Sequence, residues 1–195
     1  MKLQNILEAI PHDDGLGGEN PDVPKEWFDW IEKHKVTVGN IRPRAWSVKN
    51  GELCCLKTRV LELKGVTDED LPPFKLGEMG HVICNQYCSF SDLSWLPTSV
   101  DTLSFETASV KSIKGLSKKC KYVDKLILSP LIKSGLLEVF RLNGLKTLSS
   151  FFLSTDRTGS DYERAYEIVS KGFEAKADAL DVQSELLDTG LGRFA

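Results

Sequence analysis

Apolar and polar residues alternate in short segments that recur along the middle of this chain. Leu61-Glu62-Leu63, Val82-Ile83-Cys84, Leu103-Ser104-Phe105 and Leu126-Ile127-Leu128 share one pattern, with first residues 21, 21 and 23 positions apart. A looser fifth copy stands at Phe140-Arg141-Leu142. Period-two alternation predicts strands with one buried face. Apolar residues after each strand line the far side of the predicted core: Leu71 and Phe74, then Phe90, Leu93 and Leu96, then Val110, Ile113 and Leu116, then Leu131, Ile132 and Leu136. Upstream, Leu3, Ile6, Leu7 and Ile10 fall at helical spacing before Pro11, and residues 11–23 read as a glycine-, proline- and acid-rich loop. Pro24 suits a first helical position, so a second, aromatic helix is predicted to about Lys35. Between Arg44 and Leu56 the alternation is interrupted by Asn50-Gly51, a strong signal for a two-residue hairpin. From about Ser160 to Leu187 the period is helical again. Tyr162, Tyr166, Val169, Phe173, Ala177, Leu180 and Leu187 share a face, Gly172 is a candidate break and Gly190 a stop.

A period of about 20–29 residues with one such strand per copy is the signature of a leucine-rich-repeat solenoid. One copy cannot bury its own apolar face, so copies stack and share a core. The expected architecture is therefore α+β: a short, irregular leucine-rich-repeat-like solenoid of four or five coils, with helical caps at both ends. Residues 1–45 would form the N-terminal helical cap and loop, 46–150 the repeats, and 151–195 a C-terminal helical segment.

Composition changes this picture little. The chain has 195 residues, 41% of them hydrophobic and 27% charged, which is ordinary for a soluble globular protein. A net charge of −3 gives no general reason to expect nucleic-acid or membrane binding. The longest apolar runs, such as Leu126-Ile127-Leu128 and Phe151-Phe152-Leu153, are far shorter than a membrane span. The first residues lack the apolar stretch of a signal peptide. Together with five cysteines, an odd number, this predicts reduced thiols and a cytoplasmic location.

The segment from Leu71 to Pro130 resembles a degenerate repeat of about twenty residues in small leucine-rich-repeat-like proteins of large tailed bacteriophages. The residues that carry the likeness are His81-Val82-Ile83-Cys84-Asn85-Gln86, Leu93-Ser94-Trp95-Leu96-Pro97 and Val100. The tail from Asp181 to Leu191 is similar to the helical ending that follows such repeats. The resemblance implies a non-enzymatic accessory protein in the cytoplasm of an infected bacterium, binding and modulating, or inhibiting, a host protein such as one used in defence.

Several constellations invite chemistry. His81, Cys84, Cys88 and Cys120 have donor types that suit zinc, but structural zinc sites usually present paired Cys-x₂₋₄-Cys elements and only one pair is present. Alternation also sends His81 and Cys84 to opposite faces, so no metal and no cofactor is expected. A cysteine nucleophile needs a histidine, and His12, His34 and His81 lie in no catalytic motif. His12-Asp13-Asp14 and Gly15-Leu16-Gly17-Gly18 lack the preceding strand and the closing Gly-Lys-Ser/Thr of a phosphate loop. An enzyme built on that loop is thus the weakest reading. Lys111, Lys114, Lys118, Lys119 and Lys121, with Lys125, form a basic cluster that offers the alternative reading, nucleic-acid binding. No aromatic platform or arginine fork accompanies them, so a solvated face is favoured. The outward residues of the strands are the preferred partner-binding surface: Glu62; His81, Ile83 and Asn85; Thr102, Ser104 and Glu106; Lys125 and Ile127 with Ser129; and Arg141 on the fifth copy. The function expected is a non-enzymatic scaffold that binds a host or phage protein.

Overall fold

The Asn50-Gly51 hairpin forms as its sequence dictates. Strands β1 (Trp46–Lys49) and β2 (Glu52–Cys55) pair antiparallel with Lys49 opposite Glu52. Asn50 (φ 53°) and Gly51 (φ 74°) both take the left-handed conformation that a type I′ turn needs. The computed structural model describes residues 23–35, 46–55, 60–85, 87–151 and 160–195. The helix expected over 1–10 and the loop 11–22, with His12, Asp13 and Asp14, lie outside them.

The alternating segments become neighbours in one parallel sheet. β3 (Val60–Leu63), β5 (Glu78–Cys84), β6 (Ser99–Ser104), β7 (Tyr122–Leu128) and β8 (Thr147–Ser150) follow in that order. Leu61, Val82, Leu103, Leu126 and Leu148 stand side by side, and all but the edge residue Leu148 are buried. A second sheet holds β1, β2 and β4 (Lys75–Leu76), with β4 parallel to β2.

The α+β class is as expected, but the fold is not the short leucine-rich-repeat-like solenoid that the period suggested. A solenoid requires each unit to repeat its neighbour. Here the chain divides between a parallel sheet and a mixed one. The connection after β3 contributes β4 to the other sheet. The one after β6 carries a single-turn helix, α2 (Leu116–Lys119), and the one after β7 a 3₁₀ helix, Leu136–Arg141. The fifth copy expected at Phe140–Leu142 is part of that 3₁₀ helix and its end, and the fifth strand is Thr147–Ser150 instead. Leu136, Val139 and Leu142 are the buried apolar residues, a spacing of three that suits three residues per turn rather than a strand.

Glu138 anchors this connection. Its buried carboxylate accepts hydrogen bonds from the Ser117 amide (3.1 Å) and hydroxyl (2.8 Å) and from Arg141 (2.8 Å). Burial alone would raise its pKa, but the Ser117 donors and the Arg141 guanidinium together hold it below the usual value. A carboxyl depressed in the folded state adds stability that is present above its unfolded pKa and lost as pH falls through the folded one. Glu138→Ala strands the Ser117 amide and is expected to cost about 1–3 kcal/mol at neutral pH. The difference from the parent should shrink in urea melts as pH falls below the ordinary glutamate range. A constant difference down to acid pH would show that the carboxylate is not what anchors α2.

Helices stand at both edges of the parallel sheet. α1 (Lys25–His34) begins after Pro24, which caps the helix rather than occupying its first turn. It buries Trp30 and Ile31, and Trp30 meets Phe74 edge-on at 5.6 Å. His34 ties α1 to the end of β3: Nδ1 lies 2.9 Å from the Lys64 carbonyl oxygen and Nε2 3.1 Å from Asp70 Oδ2. Lys33 pairs with the same carboxylate and, as the main cause, holds it below the ordinary aspartate range.

At the other edge, α3 (Asp161–Glu174) starts with a Ser160–Glu163 capping box. It docks through the Tyr162 hydroxyl, 2.8 Å from Ser150 Oγ, and through Tyr166, whose hydroxyl donates to the Leu148 carbonyl. Gly172 does not break the helix. A Cβ there would lie 2.5 Å from Val182 Cγ2, so glycine lets α4 (Ala179–Asp188) pack closely. The break comes at residues 175–178, where Lys176 has φ 55°. That turn resets the helical phase. Val182 and Leu186 are therefore buried, while Leu180 and Leu187, expected inside, are 69% and 59% exposed. Among the described residues no helix is long and apolar enough to cross a membrane.

Candidate partner-binding face

The parallel register sorts the outward strand residues into two rows. One runs Val60, His81, Thr102, Lys125, Thr147, and the other Glu62, Ile83, Ser104, Ile127, Ser149. Neighbouring strands lie about 4.8 Å apart, so side chains in a row shield one another. Glu62, His81, Ile83, Thr102 and Ile127 are half-buried, and Lys125 is exposed. Ser104 departs from the expectation of exposure: it is 0% exposed. Its short side chain stands between the longer, branched Ile83 and Ile127. Ser129, also expected outside, is buried, and its hydroxyl accepts from the Leu131 amide. Arg141 does not belong to this face at all, because its segment is the 3₁₀ helix.

Just beyond the ends of β5 and β6, Asn85 and Glu106 join the second row. Asn85 Nδ2 donates to Glu62 Oε1 at 3.2 Å. A carboxylate can only accept, which fixes the amide orientation and leaves Oδ1 as the other atom. Among the described residues neither Asn85 Oδ1 nor Ser104 Oγ has a hydrogen-bond partner, though both are buried. The Glu106 carboxyl is pushed above the ordinary glutamate value, first by burial and then by the charge of Glu62. Tyr87, which the strand pattern passed over, is 74% exposed with φ 76°. Alternation says nothing about a residue in a turn, so no signal marked it.

The lysine cluster is divided between the connection from β6 to β7, which carries Lys111, Lys114, Lys118, Lys119 and Lys121, and the sheet, which carries Lys125. Lys111 lines a cavity of about 640 Å³ with Leu131, Tyr162 and Phe194. Lys114 and Lys118 line another, of about 500 Å³, together with Arg141 and Glu138. Lys119 and Lys121 are exposed near the start of β7, and Lys125 stands on the outward sheet face.

All five cysteines are buried, and none is disulfide-bonded. His81 lies on the outward face and Cys84 in the core, so they do not converge. The Cys84 thiol is pushed up by its hydrogen bond with Cys88 and by burial, and burial raises Cys120 to about 12. Cys88 is lowered by the same thiol contact and by backbone amides, but it is itself enclosed. Among the described residues no group of three or more His, Cys, Asp or Glu side chains is placed to hold a metal ion. No family model, curated protein or solved structure matches this chain.

Proposed function

We propose that this chain is a non-enzymatic protein-binding module whose partner docks on the outward face of the parallel sheet. The observation that carries this reading is the Glu62–Ile83–Ser104–Ile127 row: half-buried isoleucines and polar groups on one face, bordered by acceptors without partners. An apolar centre with a polar rim is the composition of a protein interface. The net charge of −3 favours this reading over nucleic-acid binding. The resemblance of residues 71–130 to small phage proteins supports a partner from an infected bacterial host, including a defence protein. Affinity capture of that partner from host lysate by the tagged chain tests the proposal. Retention is expected to change little as salt rises from 50 to 200 mM, whereas a protein making 6–10 phosphate contacts would lose about 10³–10⁵ in affinity. Salt-labile capture of nucleic acid alone would overturn it.

A further inference from the structure

We propose that the cavity between α2, the 3₁₀ helix Leu136–Arg141 and α4 is a receptor for the phosphoryl group of a small phosphomonoester. None of its residues stands on a strand of the parallel sheet, so the site is independent of the strand-face reading.

The cavity holds about 500 Å³ and is lined by Lys114, Lys118, Arg141, Glu138, Gln183 and Leu137. Three of these side chains are cations and one is an acid. Both oxygens of that acid are already engaged. Glu138 Oε2 accepts from the Ser117 amide and hydroxyl, and Oε1 accepts from Arg141 at 2.8 Å. The Glu138 side chain is only 6% exposed, so it holds the Arg141 guanidinium in place without neutralising the two lysines. The guanidinium itself is 69% exposed and keeps donors to spare. Among the described residues no side chain pairs with Lys114 or Lys118, and none hydrogen-bonds the half-buried Gln183 amide. Three cations against one carboxylate leave the cavity positive in a chain whose net charge is −3. A carboxylate at Ala195, which also reaches the cavity, would still leave it positive.

The backbone shapes the same place. A Cβ at Gly135, which lines the cavity with φ 86°, would stand 2.6 Å from the Lys114 amide nitrogen and 2.8 Å from Lys114 Cγ. Glycine therefore lets the Lys114 stem lie against the neighbouring connection. Lys114 is held there by packing rather than by a counter-charge. Cations arranged in this way select a phosphoryl group. It carries about −1.5 to −2 charge and three acceptor oxygens, whereas a carboxylate has one charge and two oxygens. Arginine can bond two of those oxygens at once, and each ammonium acts as a point charge. Pockets of about 300–1,000 Å³ hold small organic ligands, so this one has room beside Leu137 and Gln183 for what the phosphoryl group is attached to.

The test is titration of the ¹⁵N-labelled full chain with phenyl phosphate, alongside phenol, benzoate, inorganic phosphate and a single-stranded oligonucleotide without terminal phosphates. Phenyl phosphate is expected to give saturable shifts of the Gln183 side-chain amide and of the Gly115, Gly135 and Arg141 backbone amides. It should bind at least tenfold tighter than benzoate, with no response to phenol. Lys114→Gln with Lys118→Gln should weaken it at least tenfold at an unchanged melting temperature, because neither ammonium has a partner to lose. If the double variant does not fold, Lys118→Gln alone decides by the same criterion. Lys119→Gln with Lys121→Gln, in the same connection but outside the cavity lining, should change binding less than twofold. No saturable shift, benzoate as tight as phenyl phosphate, or equal loss from the two lysine pairs would each overturn the site. Inorganic phosphate binding as tightly as the ester would overturn the phosphomonoester and leave free phosphate as the ligand. Tighter binding of the oligonucleotide at these resonances would overturn the small-molecule site in favour of nucleic acid. Protein-partner capture should be unchanged by Lys114→Gln with Lys118→Gln, so this site and the strand face fail separately.

Discussion

Leu103→Asp is expected to unfold the parallel sheet as a unit. Leu103 sits at the centre of the inward row, between Val82 and Leu126, and is completely buried. A carboxylate there has no partner, and its burial costs on the order of several kcal/mol against a typical total stability of ~5–15 kcal/mol. The side chain cannot escape to solvent, because a one-residue shift would send every residue of β6 to the opposite face. Circular dichroism and a thermal melt of the purified variant would show loss of the cooperative transition, or its collapse to a much lower temperature. A soluble variant with the parent melting temperature would mean that the register is wrong. Ile83→Asn, in the adjacent strand but on the outward face, is the control, and it should retain the transition.

Ile83→Asn combined with Ile127→Asn is expected to abolish partner capture while leaving the protein folded. Both isoleucines are half-buried on the sheet's outward face and flank Ser104. Replacing them removes the apolar centre of the proposed interface, where a few residues usually carry most of the binding energy. Asparagine is used rather than aspartate because Glu62 lies directly beside Ile83, and a new charge would confound the result. Strand propensities span about 1 kcal/mol, so a modest drop in melting temperature is expected without unfolding. Reversing Lys118, Lys119 and Lys121 to glutamate should leave capture largely intact. The opposite pattern, with capture lost through the lysines and falling with salt, would transfer the function to electrostatic recognition.

What could be read from the sequence follows from how local each signal is. The strands at Leu61, Val82, Leu103 and Leu126 were legible because alternation is a property of neighbouring residues, and a half-buried sheet imposes it. Asn50-Gly51 specified its own turn for the same reason: both residues tolerate positive φ without help from the rest of the fold. Phe140-Arg141-Leu142 misled because three residues cannot distinguish period two from period three. Only the burial of Leu136, Val139 and Leu142 together decided it. The C-terminal helices show the same limit, since a face projected through 160–187 as one helix loses its phase at the turn around Lys176.

The candidate site divides along the same line. Sequence alone assigned Glu62, Ile83, Thr102 and Ile127 to the outward face, because side-chain direction in a strand alternates wherever the strand ends up. It determined the hairpin, four strands of the parallel sheet and the α+β class, and it left the architecture open: the period implied a solenoid, whereas the connections built a second, mixed sheet. Only the tertiary structure placed Asn85 against Glu62, brought Glu106 within reach of the same charge and closed Ser104 between two isoleucines. Those outcomes depend on which strands become neighbours and on the conformation of the chain between them. Residues some twenty positions apart meet only when the sheet assembles, and no local pattern encodes what a side chain will find there.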